Sequence, residues 1–483
     1  MKTSTSAGWL SRPFLTAVLL GTGGFLYGYD SGIITPSLAL ESFLVYFGNP
    51  SAPLRGAIVS VYQAGAWLGS ASFGITSDRF GRRRGIAFGC IWGAVGGALM
   101  AGAAHVAMLI VGRLLVGFAV GTITGVAPVF GAEIAKTHER ARITAVNQMM
   151  VAWGFFVALW TGVGEGKWHS LPALLLGTGV LFVGESPRWL CLKGRHEEAE
   201  KAFRSYHYNG SNDDWCRSEF AIIRTNIEEE QQAQGRLSWG DLLRTSAFRK
   251  RLFVGTFVWA AAMLSGISFV QYYQTAIYAT LQFGQDQQLL VSGLYGSVGP
   301  VACFLSLFFV DRIGRKRILV ISSSLLSVCY LIITVLAAVY PARPGLPTND
   351  AAQRGLIACI FAVSANYSAL LGPMTWIIPP EVFTTELRAK ANAIVQVIHY
   401  SISLVITQCS SIALAAVGWK YYILFILTNA LCAVVFAIFY PETRGKSLEE
   451  IDGIFGDVKV VHGNADVEEK AGVQEVELLR QRK

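Results

Sequence analysis

DRFGRRRG at 78–85 returns as DRIGRKR at 311–317. Each places an acid, a glycine and a cluster of basic residues directly after a long apolar run. Two more pairs behave alike. EIAKTHER (133–140) is echoed by EVFTTELR (381–388), and ESPR (185–188) by ETR (442–444). The pairs keep the same order, and each follows an even-numbered apolar run. Such recurrence implies duplication: two six-helix bundles, with a solute site near the midplane between them.

Composition agrees. The chain of 483 residues is 53% hydrophobic and only 15% charged, where soluble domains average about 25% charged. Apolar runs of near 20 residues recur, each long enough to cross a bilayer as a helix. They do not alternate as barrel strands do. The expected fold class is an all-α membrane protein with twelve transmembrane helices. The spans fall at 14–34, 56–76, 85–104, 107–129, 143–164, 170–184, 252–280, 289–310, 318–340, 355–380, 391–417 and 420–440. This divides the chain into an N-terminal bundle (1–184), a linker with short amphipathic helices (185–250), a C-terminal bundle (251–440) and a tail (441–483). The stretch from Met149 to Val183 is short for two spans, which together want roughly 40 residues. Span 6, built on LPALLLGTGVLFV, is therefore expected to be brief.

The net charge of +8 follows the positive-inside rule and does not call for nucleic acid. The basic loops share one side, so both termini and the linker are expected in the cytoplasm. The eight cysteines form no CxxC pair and lie mostly in apolar spans, with no disulfide framework or zinc site indicated. No nucleophile–base set, metal cluster or phosphate loop suggests an enzyme, and no cofactor is expected. NGS at 209–211 falls on the cytoplasmic side and is discounted as a glycosylation acceptor.

The paired motifs, with GFLYGYDSGII (24–34), GRLLVGFAVG (112–121), PVFGAEIAKTHER (128–140), ESPRWL (185–190), GPMTWIIPPEVFTTELRAKA (372–391) and PETRGKSLEEID (441–452), resemble the sugar porter family of the major facilitator superfamily. The resemblance covers nearly the whole chain and leans to fungal members. It implies a monomeric transporter in the lipid bilayer, expected at the plasma membrane, moving a small, sugar-like solute by alternating access.

Asp30 is an ionisable group at membrane depth, costly unless functional. Arg113 is its candidate partner. In proton-coupled relatives such a pair exchanges protonation with conformation; a static ion pair is the plainer reading. Asp78, Arg82, Glu133, Arg140, Glu185 and Arg188 recur as Asp311, Arg315, Glu381, Arg388, Glu442 and Arg444. Carboxylates and guanidinium groups fit bidentate pairing, so the cluster reads as a cytoplasmic gate latching the bundles, or as solvated loop charge. The resemblance makes Gln148 a sugar-binding amide and Trp376 a stacking or packing ring. It leaves Gly372, Pro373, Pro379 and Pro380 to break span 10.

The remaining pocket departs from the family. Ala262 and Met263 replace two glutamines. Ser268, Gly299 and His399, the last followed by Tyr400, replace asparagines. Ser268, Gln271, Tyr272, Tyr273 and His399 complete the expected solute-binding set; the resemblance makes Tyr272 and Tyr273 a pair that helps close the extracellular side, and Gln271, Tyr272, Tyr273 and Gln274 cannot all face one cavity. His399 reads equally as a solute or proton contact and as a packing residue. The leading function is proton symport of a sugar or related solute. The alternatives are proton-linked export of a less polar metabolite and a nutrient sensor, against which the short tail argues.

Overall fold

The computed structural model describes residues 12–134, 140–163, 184–208, 212–234, 246–306, 308, 310–341, 349–383, 388–443 and 453–455. Among them every regular element is helical. The first half holds α1 (Arg12–Ser37), the short α2 (Glu41–Tyr46), α3 (Ala52–Phe80), α4 (Arg82–Ala101), α5 (Val106–Ile134) and α6 (Arg140–Val163). Two short helices and a longer one follow: α7 (Pro187–Leu192), α8 (His196–His207) and α9 (Asp213–Gln234). The second half holds α10 (Ser246–Leu264), α11 (Ile267–Thr280), α12 (Gln285–Ser306), α13 (Val310–Ile313), α14 (Arg315–Val339), α15 (Asp350–Asn366), α16 (Gly372–Val382), α17 (Arg388–Val417) and α18 (Tyr422–Phe439). The expected span 6 falls almost wholly outside the described residues.

Among the described residues, 7 helical stretches are long and apolar enough to cross a membrane. One of them, Lys390–Phe439, contains both α17 and α18. The helices α1, α3 and α6 have 26, 29 and 24 residues, long enough to span but richer in polar and small side chains. Leu331, Leu427, Leu431 and Ile438 are exposed, as suits a lipid-facing surface. The linker helices α7, α8 and α9 gather a small core of their own around Trp189, Phe203 and Phe220.

In the first half α1 lies along α6, while α3 and α4 lie along α5. In the second, α14 packs on α18 and α10 on α17. The halves meet along α3–α17 and α6–α12. These helices are the second and fifth spans of their respective halves. The two contacts are therefore one contact repeated with the halves exchanged, the structural counterpart of the duplicated motifs.

Glycine sets the closest approaches. Gly65 and Gly69 on α3 face the carbonyls of Leu114 and Phe118 on α5, and Gly117 and Gly121 on α5 face those of Tyr62 and Ala66 on α3. Without a strong hydrophobic drive between helices in lipid, such small-residue seams let backbones touch and gain dispersion energy. A Cβ at Gly121 would occupy the space of the Ala66 carbonyl. Gly121→Val should therefore cost about 1–3 kcal/mol, toward the upper end because a carbonyl has no rotamer to yield. The purified variant is expected to melt earlier and lose its monodisperse elution peak. An unchanged melting midpoint would refute the seam.

Two spans are interrupted. Gly266 adopts a left-handed conformation (φ 83°) and separates α10 from α11. Backbone groups inside a membrane need internal partners. Here the Ser265 hydroxyl accepts from the Ile267 N–H at 3.3 Å, the Leu264 carbonyl accepts from Thr428 at 2.7 Å, and the Ser265 carbonyl accepts from Asn429 at 3.2 Å. The other interruption differs from expectation. It is a π-helical turn at Tyr367–Leu371, directly before Gly372, and α16 runs on through Pro379 and Pro380 to Val382. Pro373 lacks an N–H, and the wider turn ahead of it absorbs the lost bond.

Candidate functional site

The basic motifs build two matching clamps at one end of the bundle. Glu185 accepts from the N–H groups of Arg82 (2.9 Å) and Arg83 (3.2 Å), capping the start of α4. A carboxylate is favoured there by the unpaired N–H groups and the helix dipole. Burial pushes the Glu185 carboxyl above its ordinary range, opposed by the N–H donors of Ser186, Arg83 and Arg82. Arg82 is buried and grips Glu133 with both arms, Nε to Oε2 at 3.2 Å and one terminal nitrogen to Oε1 at 2.9 Å. The Ser186 hydroxyl donates to the same Glu133 carboxylate.

The second half repeats each part. Glu442 accepts from the N–H groups of Arg315 (2.9 Å) and Lys316 (3.3 Å) at the start of α14. Arg315 reaches Glu381 at 3.4 Å, and the Thr443 hydroxyl donates to Glu381 at 3.3 Å. The glycines between acid and arginine are obligatory. Gly81 (φ 100°) and Gly314 (φ 99°) are left-handed, and a Cβ on either would strike the capping carboxylate.

The expected latch between bundles needs correction: the described ion pairs of Arg82 and Arg315 close within their own halves. The reason is topological, since each motif's partner follows a neighbouring span of the same half. Arg188 is half-buried in α7. Arg444 lies outside the described residues, as do the side chains of Asp78, Arg140, Asp311 and Arg388.

A cavity lies between the halves. Gln148, Ser268, Gln271 and Trp376 line it, as expected. Trp376 donates its indole N–H to Gln148 Oε1 at 2.8 Å, joining α16 to α6 across the halves. Trp259 meets Trp376 edge-on, with ring centroids 4.9 Å apart. The Ser268 hydroxyl reaches Met263 Sδ at 3.4 Å, a weak acceptor.

Tyr272, Tyr273 and His399 are not among the residues that line this cavity. Successive residues on a helix turn by about 100°, so only Gln271 of its trio faces the space. Tyr272 Oη accepts from Gln63 of the other half at 2.9 Å, and Tyr273 donates to the Thr407 carbonyl at 2.7 Å. His399 lies against Trp259 and Tyr400, each 4.3 Å away by ring centroids, with Nδ1 3.2 Å from Gln396 Oε1.

Cross-half bonds close the space on both sides. Toward the basic end, Asn392 donates to the Gly125 carbonyl at 3.1 Å, and Thr124 meets Tyr400 at 3.2 Å. Toward the opposite end, Thr35 donates to the Gln271 carbonyl at 2.9 Å and Ser60 to Gln408 at 2.7 Å. Asp30 and Arg113 do come together: a guanidinium nitrogen stands 4.0 Å from Asp30 Oδ2, both side chains are buried, and the guanidinium lies 5.4 Å over the Tyr62 ring.

A family model described as sugar (and other) transporter matches residues 16–455. The chain belongs to this sugar transporter family. It is 35% identical to the MFS-type transporter criB of Aspergillus cristatus over 94% of this chain and 95% of that protein. It is 29% identical to the glucose transporter GlcP of Staphylococcus epidermidis over 92% of this chain and 97% of the relative. The fold matches the proton:xylose symporter XylE bound to 6-bromo-6-deoxy-D-glucose with a TM-score of 0.78, at 22% identity, over 92% of this chain and 99% of XylE. The protein is thus an integral membrane protein of the major facilitator fold, a secondary transporter of a sugar or related small solute.

The transporter's cavity also holds residues that the sequence reading passed over: Tyr27, Trp259, Tyr295, Ser364, Tyr367 and Ser368. Some were signalled. Ser364, Tyr367 and Ser368 are polar at helical spacing within an apolar span, and Tyr27 sits three residues before Asp30 on one helix face. Gly81, Gly314, Ser186 and Thr443 were visible as residues shared by the paired motifs.

Proposed function

We propose that this transporter carries an uncharged, hydroxyl-bearing solute of the sugar or polyol class together with a proton. One observation carries the reading: every side chain lining the cavity is neutral, and polar groups from both halves converge there, with Gln148 and Trp376 joined across the divide. The glucose transporter among the relatives supports the solute class. The buried Asp30–Arg113 pair supplies an ionisable group beside the path, costly in a membrane unless it works. The solute passes unaltered, through a monomer at the plasma membrane, with both termini and the basic end in the cytoplasm, as the positive-inside rule requires. The two clamps hold together the basic end of each half.

A second reading, export of a less polar metabolite, draws on the rings of Tyr27, Phe155, Trp259 and Trp376 in the wall and on the weak Ser268–Met263 contact. The two are separated by transport in proteoliposomes with labelled D-glucose, D-xylose, D-mannitol, a sparsely hydroxylated aromatic metabolite and an anionic organic acid, with and without a pH gradient. A neutral polyhydroxylated solute should be taken up. Gln148→Ala should raise its KM about tenfold, the loss of one buried hydrogen bond. Carriage of the anion alone would overturn the proposal.

A further inference from the structure

We propose that Tyr62 and Gln63, adjacent on α3, couple the charge state of Asp30–Arg113 to the half-helix α11 and to the solute cavity. This rests on the proton-linked reading above.

The contacts form a branched chain. The Arg113 guanidinium lies 5.4 Å over the Tyr62 ring. Tyr62 is fully buried and stacks on Tyr27, with centroids 6.4 Å apart and planes 12° off parallel. Tyr27 lines the cavity. The next residue, Gln63, is also buried and donates to Tyr272 at 2.9 Å. Tyr272 belongs to α11, which is separated from α10 by the left-handed Gly266 and hence has a built-in pivot. α11 also bears Gln271, whose side chain lines the cavity and whose carbonyl accepts from Thr35 in the closure opposite the basic end. One short segment of α3 thus touches the cation, a cavity ring and the movable half-helix.

A cation over an aromatic face is attracted by the ring's quadrupole, and the carboxylate partner competes with the ring for its position. Deprotonated Asp30 draws Arg113 toward itself. Protonated Asp30 releases that pull, and the cation settles on Tyr62. Among the described residues, the titratable groups around Asp30 include Arg113 from α5, Tyr62 from α3 and Tyr272 from α11, with Tyr29 on its own helix. The facing helix α6 brings none between Val146 and Val163. Asp30's own helix α1 also meets α11, where Thr35 donates to the Gln271 carbonyl and Thr275 to the Thr35 carbonyl; α3 adds a second, side-chain route through Gln63 and Tyr272. Tyr62 and Gln63 are positioning residues: they act on the solute path through Tyr27 and Tyr272.

The test needs no identified solute. Hydrogen–deuterium exchange of the segment 267–280 is measured on the purified full chain at pH 5 and pH 8, corrected for intrinsic exchange. Wild type should change protection about fivefold or more between the two. Asp30→Asn should abolish that change. Gln63→Leu and Tyr62→Leu should reduce it to under about twofold with Asp30 intact. Tyr62→Phe, which keeps the ring face, should retain it. If Gln63→Leu and Tyr62→Leu keep the wild-type change while Asp30→Asn loses it, the coupling role is overturned and the proton-linked reading stands. If they lose protection at both pH values, the residues are merely structural, and the proposal also fails. If wild type shows no change, or Asp30→Asn keeps it, the proton-linked reading at Asp30 falls and takes the proposal with it.

Discussion

Asp30→Asn abolishes uphill uptake and leaves exchange running: labelled solute still crosses proteoliposomes against unlabelled solute, and a pH gradient no longer concentrates it. The argument is energetic. One pH unit is worth about 1.4 kcal/mol, enough for about tenfold accumulation when one proton accompanies one solute. Using that energy requires a group that binds a proton on one side and loses it on the other. Asp30 is buried, is the carboxylate facing Arg113, and lies close to the cavity residue Tyr27 on the same helix. Asparagine keeps its shape and removes its titration. Accumulation should fall from about tenfold to none per pH unit. The KM for exchange should stay within about threefold, because Asp30 is outside the cavity wall. Counterflow and pH-driven uptake, measured in the same vesicles, give both numbers. Undiminished pH-driven accumulation in the variant would remove Asp30 from the proton path.

Arg82→Ala should produce the largest structural effect. The Glu133 side chain is fully buried and held by both arms of Arg82. Removing the guanidinium leaves the buried carboxylate the Ser186 hydroxyl but no cation, at a cost of about 3–5 kcal/mol for a broken buried pair. That exceeds the few kcal/mol separating alternating states of such a protein. The basic end of the first half should therefore loosen around the start of α4. Alkylation of a cysteine introduced near the start of α4 should accelerate, and the melting midpoint should fall. Arg315→Ala should do less, because its pair with Glu381 is longer at 3.4 Å and less deeply buried. Arg82→Lys should recover only part of the loss, since an ammonium cannot reproduce the fork. Equal effects at Arg82 and Arg315 would contradict this ranking.

Much of this architecture was legible in the sequence because membrane helices announce themselves by length and charge. DRFGRRRG and DRIGRKR marked the duplication, and the structure turns each into the same glycine-preceded, carboxylate-capped helix start. The Asp30–Arg113 pair was legible because an acid at membrane depth demands a partner. Sequence spacing could not decide which polar residues share the cavity. Gln271, Tyr272 and Tyr273 are adjacent, and only their rotation on α11 separates one cavity residue from two structural ones. His399 looked like a binding group, yet Trp259 and Tyr400 cover it. Composition identifies which charges can pair without saying which helix ends adjoin, so it did not show that the Arg82–Glu133 and Arg315–Glu381 pairs form within each half. The π-turn at Tyr367–Leu371 was hidden for a related reason: Pro373 signals that a hydrogen bond is lost, and packing decides where the backbone absorbs the loss.

The central claim is that a neutral solute and a proton cross together. The most direct measurement records lumenal pH with a trapped fluorescent dye as D-glucose, D-xylose or D-mannitol is added outside proteoliposomes at zero initial pH gradient. At least one of these should acidify the lumen in step with its own labelled uptake, and the Asp30→Asn protein should show neither acidification nor accumulation. Uptake of the solute by the wild type with no movement of protons would contradict the account.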